Sequence, residues 1–194
     1  MRKTLLVGLG LTVAAVLVVF VSAGLDLDLE PVALLGVALG GVIALVPDRS
    51  PLVRLAGFAG GFSVAWVGYL LRAGLLPDSA GGRAVAVAFV VVAAVAIAAL
   101  TLGRVPLWST LLGAAAFAGA YEYTYAAAPP EVASTSLSAA TSLLLTVAVG
   151  LLAAAAFAPG GEQSVAPTRP RAASKPTDDA ENTSLDDLMM ENAK

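Results

Sequence analysis

The chain lacks cysteine and histidine and carries little charge. Of its 194 residues, 58% are hydrophobic and 13% are charged, whereas a soluble domain has about 25% charged residues. Without Cys there are no disulfides and no thiol catalysis, and without Cys and His the usual zinc ligands are missing. The missing residue types therefore exclude several classes of enzyme and metal site.

Long uncharged apolar runs fill the first 158 residues instead. A small soluble domain cannot bury so many of them, and a membrane-spanning helix needs about 20 apolar residues. The sequence predicts an all-α fold, a polytopic transmembrane bundle of about six spans within residues 1–158. The expected spans are residues 4–25, 32–46, 55–71, 84–102, 106–121 and 135–158. The second and fifth are short enough to be re-entrant or to thin the membrane.

Basic residues predict the orientation of these spans. With a cytosolic N-terminus, only Arg72 and Arg83 fall outside, so both termini are expected in the cytosol of a cell-membrane protein. The stretch Val21-Ser22-Ala23 also resembles a signal cleavage site, although the long apolar run before it favours an uncleaved anchor. The excess of Arg over Lys and the richness in Ala, Val and Gly indicate a prokaryotic source.

Small residues at a spacing of four predict close helix packing. The candidate helix-packing residues are Gly36, Gly40, Gly57, Gly61, Ser138, Ser142, Thr146 and Gly150. Two alternatives stay open: the hydroxyl residues line a polar path, or a glycine pair forms a homo-oligomer face. Packing is favoured, because serine and threonine satisfy themselves on their own helix backbone.

No sequence motif indicates a catalytic activity. The middle of every span is free of Asp, Glu, Lys and Arg, and no phosphate-binding loop or nucleophile elbow is present. The sequence predicts no enzyme, no cofactor and no nucleic-acid partner. Arg72 and Glu122, at the ends of spans, are interpreted as interfacial anchors. Trp66, Tyr69 and Trp108 are compatible with a small-molecule pocket, but packing and interfacial roles are favoured.

The composition changes after residue 158. Residues 159–182 are rich in Pro, Gly, Ser and charge, which predicts a disordered linker. Residues 183–194 predict a short acidic amphipathic helix, too short to be stable without a partner's groove. The candidate partner-binding residues are Leu185, Asp186, Asp187, Leu188 and Met189.

This organisation leads to three functional hypotheses. The first is a membrane anchor or scaffold that recruits a protein partner at the cytosolic face through residues 183–194. Its layout resembles that of prokaryotic division and cytoskeletal anchors. The second is a small permease, or the membrane subunit of a transporter, for a neutral solute. The third is a structural subunit of a larger membrane complex. The sequence alone does not separate them.

Overall fold

The structure is a computed structural model that describes residues 2–157 of the chain. The predicted linker at 159–182 and the predicted helix at 183–194 lie outside the described residues. Within residues 2–157 there are six α-helices, one 3-10 turn and no strand, which confirms the all-α prediction. The helices are α1 (Arg2–Leu25), α2 (Glu30–Leu45), α3 (Pro51–Leu75), α4 (Ala80–Leu100), α5 (Leu107–Ala127) and α6 (Val132–Phe157).

Proline and serine set the starts of the helices. Pro31 lies in the first turn of α2 and Pro51 begins α3, where its missing N–H costs nothing. Pro106 precedes α5. The Ser79 hydroxyl caps α4 by accepting a hydrogen bond of 3.2 Å from the amide of Gly82. These signals place the helix starts close to those expected from the sequence.

Two helix ends differ from the prediction. The spans expected at 55–71 and 106–121 stop before Arg72 and Glu122, whereas α3 continues to Leu75 and α5 to Ala127. The two charged side chains bond to each other across the helices. A polar residue that finds such a partner does not have to end a helix at the membrane surface.

Four stretches of the described chain are long and apolar enough to cross a membrane: most of α1 (Thr4–Leu25), α3, α4, and the 3-10 turn with α6 (Pro129–Phe157). These helices are consistent with a membrane location. The other two helices are the ones that the sequence identified as weakest. α2 has 16 residues, and α5 is polar from Tyr121 to Tyr125.

The helices form two groups of three. The most extensive interfaces are α2 with α6 and α3 with α5; α1 packs on α2 and α6, and α4 packs on α5 and α3. The first group is α1, α2 and α6, and the second is α4, α5 and α3. Taken in this order, each helix pair that is in contact in the first group has a corresponding pair in contact in the second. Residues 2–157 therefore form two three-helix repeats, α1–α3 and α4–α6, in which the third helix of each repeat packs against the first two helices of the other.

Facing residues give the helix directions. Gly57 faces Ser109 and Gly61 faces Thr110, so α3 and α5 run parallel, and the same reasoning makes α2 and α6 parallel. Helices that follow one another run antiparallel, as shown by the pairs Gly41 with Leu11, Gly60 with Ile97, Gly68 with Val90 and Tyr121 with Thr135. The odd helices therefore point one way and the even helices the other.

Candidate functional site

The crossing of α2 and α6 is built on two glycines. A Cβ at Gly40 would collide with the backbone carbonyl of Val147 and the amide of Leu151. A Cβ at Gly150 would collide with the carbonyl of Val37. The two backbones are therefore in direct contact, which is how small residues hold helices together in a membrane.

The crossing of α3 and α5 repeats this geometry. Gly113 corresponds to Gly40. A Cβ at Gly113 would collide with the backbone carbonyl three residues before Gly61 and with the backbone amide one residue after Gly61, as a Cβ at Gly40 would around Gly150. Gly61 takes the place of Gly150, because it abuts the carbonyl of Thr110, three residues before Gly113. The two crossings match residue for residue, which is independent support for the internal repeat.

One turn earlier, the two crossings carry the same pair of residue types on opposite helices. Gly36 of α2 abuts the Thr146 side chain of α6, whereas Ser109 of α5 abuts Gly57 of α3. Both hydroxyls bond within their own helices: Thr146 Oγ1 to the carbonyl of Leu143 at 2.9 Å and Ser109 Oγ to that of Pro106 at 2.9 Å. They fill the interface without bonding across it.

The structure places the predicted packing residues unevenly. The four glycines Gly36, Gly40, Gly57 and Gly61 are buried between helices of the same chain, as are Thr146 and Gly150. Ser138 is exposed and Ser142 is half-buried. A spacing of four gains about 40° per step on a helix of 3.6 residues per turn, so the stripe leaves the packed face of α6. Burial there follows Ser136, Ala140, Leu143, Val147, Gly150 and Ala154 instead.

Aromatic side chains form a ladder between α3 and α5. The ladder is Phe58, Phe62, Trp66 and Tyr69 on α3 with Phe117, Tyr121 and Tyr125 on α5. Neighbouring rings lie between 5.0 and 6.3 Å apart, mostly edge to face, which is a favourable geometry. Two polar groups of the ladder find partners on α6: Trp66 Nε1 donates to Ser136 Oγ at 2.9 Å, and the Tyr121 hydroxyl lies 2.8 Å from Thr135 Oγ1.

The three tyrosines near the end of α5 lie in different environments. Tyr121 and Tyr125 are buried in the ladder, and only Tyr123, 88% exposed, faces outward. Trp108 lies at the opposite end of the bundle and donates from Nε1 to Asp48 Oδ2 at 2.6 Å. Of the three aromatics considered for a pocket, Trp66 and Tyr69 lie together in the ladder and Trp108 lies apart, and Tyr69 alone borders the cavity between α3, α4 and α5.

A charged cluster closes the C-terminal end of the α3–α5 pair; we define it as Arg72, Asp78 and Glu122. Arg72 Nη1 donates to both carboxylate oxygens of Glu122 at 3.1 Å, and Arg72 Nη2 lies 3.7 Å from Asp78. The hydroxyl of Tyr69 also donates to Glu122. The guanidinium stacks 4.4 Å from the ring centre of Tyr125. The Arg72 side chain is 9% exposed, and these partners offset part of the cost of its burial, while its Nε has no hydrogen-bond partner.

A second arginine is buried at the other end of α3. Arg54 is 2% exposed, and its Nη1 donates to the carbonyls of Ala44, at 3.3 Å, and Val46 at the end of α2. These carbonyls have no partner within their own helix, and the helix dipole favours a cation there. Arg54 therefore fixes the turn between α2 and α3.

A cavity of about 520 Å³ lies between α3, α4 and α5. Its walls are apolar, mainly alanine, valine and leucine, such as Ala86, Val90 and Leu111. Polar side chains border it only near Tyr69, at the end defined by the charged cluster and Arg83. Several lining residues are exposed, so the cavity opens laterally, on the side of the bundle where α4 covers it incompletely. It has the size and apolar lining of a small-molecule site.

Sequence reasoning missed the ion pair, the ladder and the cavity. The ladder was visible as aromatics at every third or fourth position of two spans, and the ion pair as opposite charges at two outward span ends. No sequence pattern predicted the cavity, because the cavity depends on how α4 packs against α3 and α5. Within residues 2–157, no group of three or more Asp, Glu, His or Cys side chains could hold a metal ion.

Comparison with protein-family models, with curated proteins and with solved structures finds no match for this chain.

Proposed function

We propose that the chain is a small six-span membrane permease whose solute binds in the cavity between α3, α4 and α5. The observation that carries the proposal is the cavity itself, which combines an apolar wall with a few polar groups at one end. Cavities of this kind are the usual binding sites of proteins. The proposal belongs to the second functional hypothesis drawn from the sequence.

The alternating helix directions support six crossings. A chain whose odd and even helices point in opposite directions can pass through the membrane with every helix. α2, with 16 residues, is about 24 Å long at 1.5 Å per residue, slightly less than the bilayer core, and local thinning accommodates such a mismatch. In this arrangement both termini are cytosolic, as the basic residues favour.

The internal repeat supports a transport role. A repeat of three spans places the second copy upside down relative to the first, so the two copies are related by an axis in the membrane plane. Inverted repeats of this kind are common in secondary transporters, where one part of the bundle moves against the other. The argument is one of architecture, and the cavity supplies the site.

The orientation is tested by single cysteines, since the natural chain has none. Ser50→Cys and Arg104→Cys lie in the turns assigned to the cytosol, and Ala80→Cys and Ala127→Cys lie at the opposite side. An impermeant maleimide added to intact cells should label only the second pair. Labelling of Ser50→Cys or Arg104→Cys in intact cells would contradict six spans with a cytosolic N-terminus.

The solute site is tested by filling the cavity. Compounds that stabilise the purified full-length protein against heat would be selected, and their flux measured after reconstitution in vesicles. Ala86→Phe, whose side chain borders the cavity, should abolish both stabilisation and flux. Ala88→Phe, exposed on the other face of α4 at nearly the same depth, should preserve both. Equal binding and flux in the two variants would refute the cavity as the solute site.

The anchor hypothesis remains a second proposal and rests on the sequence pattern at residues 183–194. Leu185, Leu188 and Met189 share one face of the expected helix, with acidic residues in its first turn. A pull-down in mild detergent would compare the full chain with one that ends at Asn182. A cytosolic protein captured only by the full chain supports the anchor. Identical captured proteins would count against it.

A further inference from the structure

We infer that α1, α2 and α6 hold a second copy of the solute site, which Phe157 and Leu11 close in this structure. Movement of α1 away from α2 and α6 opens this second site when α4 closes over the cavity. The inference rests on the proposed function, because it takes the cavity as the site where the solute binds and adds the site through which the solute leaves.

The two glycine crossings determine which residues of the two helix groups correspond. Residues of α2 precede their counterparts on α5 by 113 − 40 = 73 positions, and residues of α6 follow their counterparts on α3 by 150 − 61 = 89 positions. By these shifts Phe157 of α6 corresponds to Gly68 of α3, and Gly41 of α2 corresponds to Ala114 of α5.

The first helices of the two repeats, α1 and α4, correspond in the same way. A Cβ at Gly68 would lie 2.6 Å from Val90 Cγ2 on α4, and a Cβ at Gly10 on α1 would collide with the ring of Phe157. Because Phe157 is the counterpart of Gly68, Gly10 is the counterpart of Val90, a shift of 90 − 10 = 80 positions. Each contact joins a glycine to a larger side chain, and the two helices exchange these roles between the groups.

The apolar wall of the cavity has counterparts that fill the equivalent space. Three residues that border the cavity, one on each helix, are Gly68, Val91 and Ala114. Their counterparts are Phe157, Leu11 and Gly41. Phe157 packs on α1 at Gly10, and Leu11 Cδ1 would lie 2.9 Å from a Cβ at Gly41. Two larger side chains therefore close the contact of α1 with α2 and α6 where the second group has a cavity.

Burial shows the same difference between α1 and α4. Val87 of α4 borders the cavity and is 63% exposed. Its counterpart on α1 is Val7, which is 7% exposed. α1 is therefore seated on its neighbours at the position where α4 stands away from its own.

The cavity and its closed copy lie at opposite ends of the bundle. The cavity borders the C-terminal half of α3, and Phe157 lies at the C-terminal end of α6. α3 and α6 run in opposite directions, as odd and even helices do here. In the six-span arrangement the two sites therefore face opposite sides of the membrane. A solute crosses when the two sites open in turn.

α1 and α4 are the helices that can move. The α2–α6 and α3–α5 crossings bring backbone against backbone, the contact that holds helices together most closely in a membrane. By contrast, the glycine contacts of α1 and α4 with other helices in the described chain reach only side chains: those of Leu11, Val90, Ile97 and Phe157. The second group shows that such a pair of neighbours also holds a helix in the displaced position of α4, so this position is available to α1.

The first test fixes α1 with a disulfide, since the natural chain has no cysteine. A Cβ at Gly41 would lie 3.6 Å from Leu11 Cγ, so the pair Leu11→Cys and Gly41→Cys is within reach of a disulfide. The full-length protein is studied with compounds that stabilise the natural protein against heat. After oxidation these compounds should still stabilise it, because the cavity is unchanged, but their flux into vesicles should be lost. Reduction with dithiothreitol should restore the flux.

A second disulfide is the matched control. Gly57→Cys with Ser109→Cys joins α3 to α5, whose contact is the same in both states, and a Cβ at Gly57 would lie 3.1 Å from Ser109 Cβ. Oxidation of this pair should preserve both binding and flux. Flux that persists with α1 fixed to α2, or that is lost equally in the control, would overturn the second site.

The second test opens the closed copy by substitution. Phe157→Gly with Gly10→Val gives α6 and α1 the residue pair that Gly68 and Val90 give the cavity. In a protein whose cavity is filled by Ala86→Phe, this exchange should restore stabilisation by the same compounds. If stabilisation is not restored, α1, α2 and α6 hold no solute site.

The outcomes separate this inference from the permease proposal. If Ala86→Phe binds and transports the compounds as well as Ala88→Phe does, the cavity is not the solute site and both proposals fail. If the natural cavity binds and transports them but the fixed α1 allows flux and the exchange restores no binding, the second site is refuted while the permease proposal stands.

Discussion

An exchange of residues between two helices tests the internal repeat. The α2–α6 crossing has glycine on the first helix and threonine on the second, and the α3–α5 crossing has serine on α5 and glycine on α3. The double substitution Gly57→Thr with Ser109→Gly would give the second crossing the arrangement of the first. If the two crossings are equivalent, the double variant should fold and retain most of its stability.

The contacts give the size of the effect. A Cβ at Gly57 would lie 3.1 Å from Ser109 Cβ and 2.8 Å from Val105 Cγ1, so Gly57→Thr alone overpacks the interface and should cost about 3 kcal/mol. Ser109→Gly alone should cost about 0.5 kcal/mol in helix propensity. In the double variant the space left by the serine accepts the threonine, so we expect a coupling of about 2 kcal/mol in favour of the pair.

Val105 has a counterpart in the other crossing by sequence position. It lies four residues before Ser109, and α2 has a valine, Val32, at the same distance before Gly36. The Val105 side chain has to shift to accept a Cβ at Gly57, which is part of the cost expected for Gly57→Thr.

The assay is unfolding of the purified protein in mixed detergent micelles, followed by circular dichroism, for both single variants and the double variant. Gly74→Thr serves as a control, because nothing lies within 4 Å of a Cβ at that position on the same helix. A double variant no more stable than Gly57→Thr alone would show that the two crossings are not equivalent.

Three further predictions concern single positions, and each is measured by the same unfolding assay. Gly61→Ala should cost about 2 kcal/mol, because its Cβ meets backbone, whereas Gly74→Ala should be neutral or slightly stabilising; equal effects would contradict the close crossing. Arg54→Met should cost about 2 kcal/mol through the carbonyls it leaves without a donor, while Arg49→Gln on the surface should change stability by less than about 0.5 kcal/mol, and similar losses would refute the capping role. Glu122→Gln should cost only about 1 kcal/mol, because the carboxylate is 51% exposed and Arg72 keeps Asp78; no loss at all would show that the ion pair contributes nothing.

The sequence predicted the helices well, because their signals are local. Uncharged runs set the middles of the spans, and Pro31, Pro51 and Pro106 set their starts. The structure places Gly36, Gly40, Gly57 and Gly61 at close helix contacts, since a backbone can approach another only where side chains are absent. The sequence did not predict which helix each glycine contacts, because those contacts are made with residues far away in the chain.

The predicted site residues of α6 show the same limit. A spacing of four suggested one continuous stripe, yet the helix turns away from it, and Ser138 ends up exposed. The charged cluster was missed for a related reason. Arg72 and Glu122 were each interpreted alone at a span end, and their pairing becomes visible only when α3 and α5 are known to be parallel neighbours.

The exchange of third helices has a consequence for biogenesis. Gly40 of α2 meets its partner Gly150 only after 150 − 40 = 110 further residues have been made. At about 5–20 residues per second, the ribosome needs roughly 6–22 s to make them. During this time the glycine face of α2 has no partner, whereas α3 meets its partner α5 sooner, since Gly113 follows Gly61 by 113 − 61 = 52 residues. The group of α1, α2 and α6 therefore completes its interfaces only when the last helix has been made.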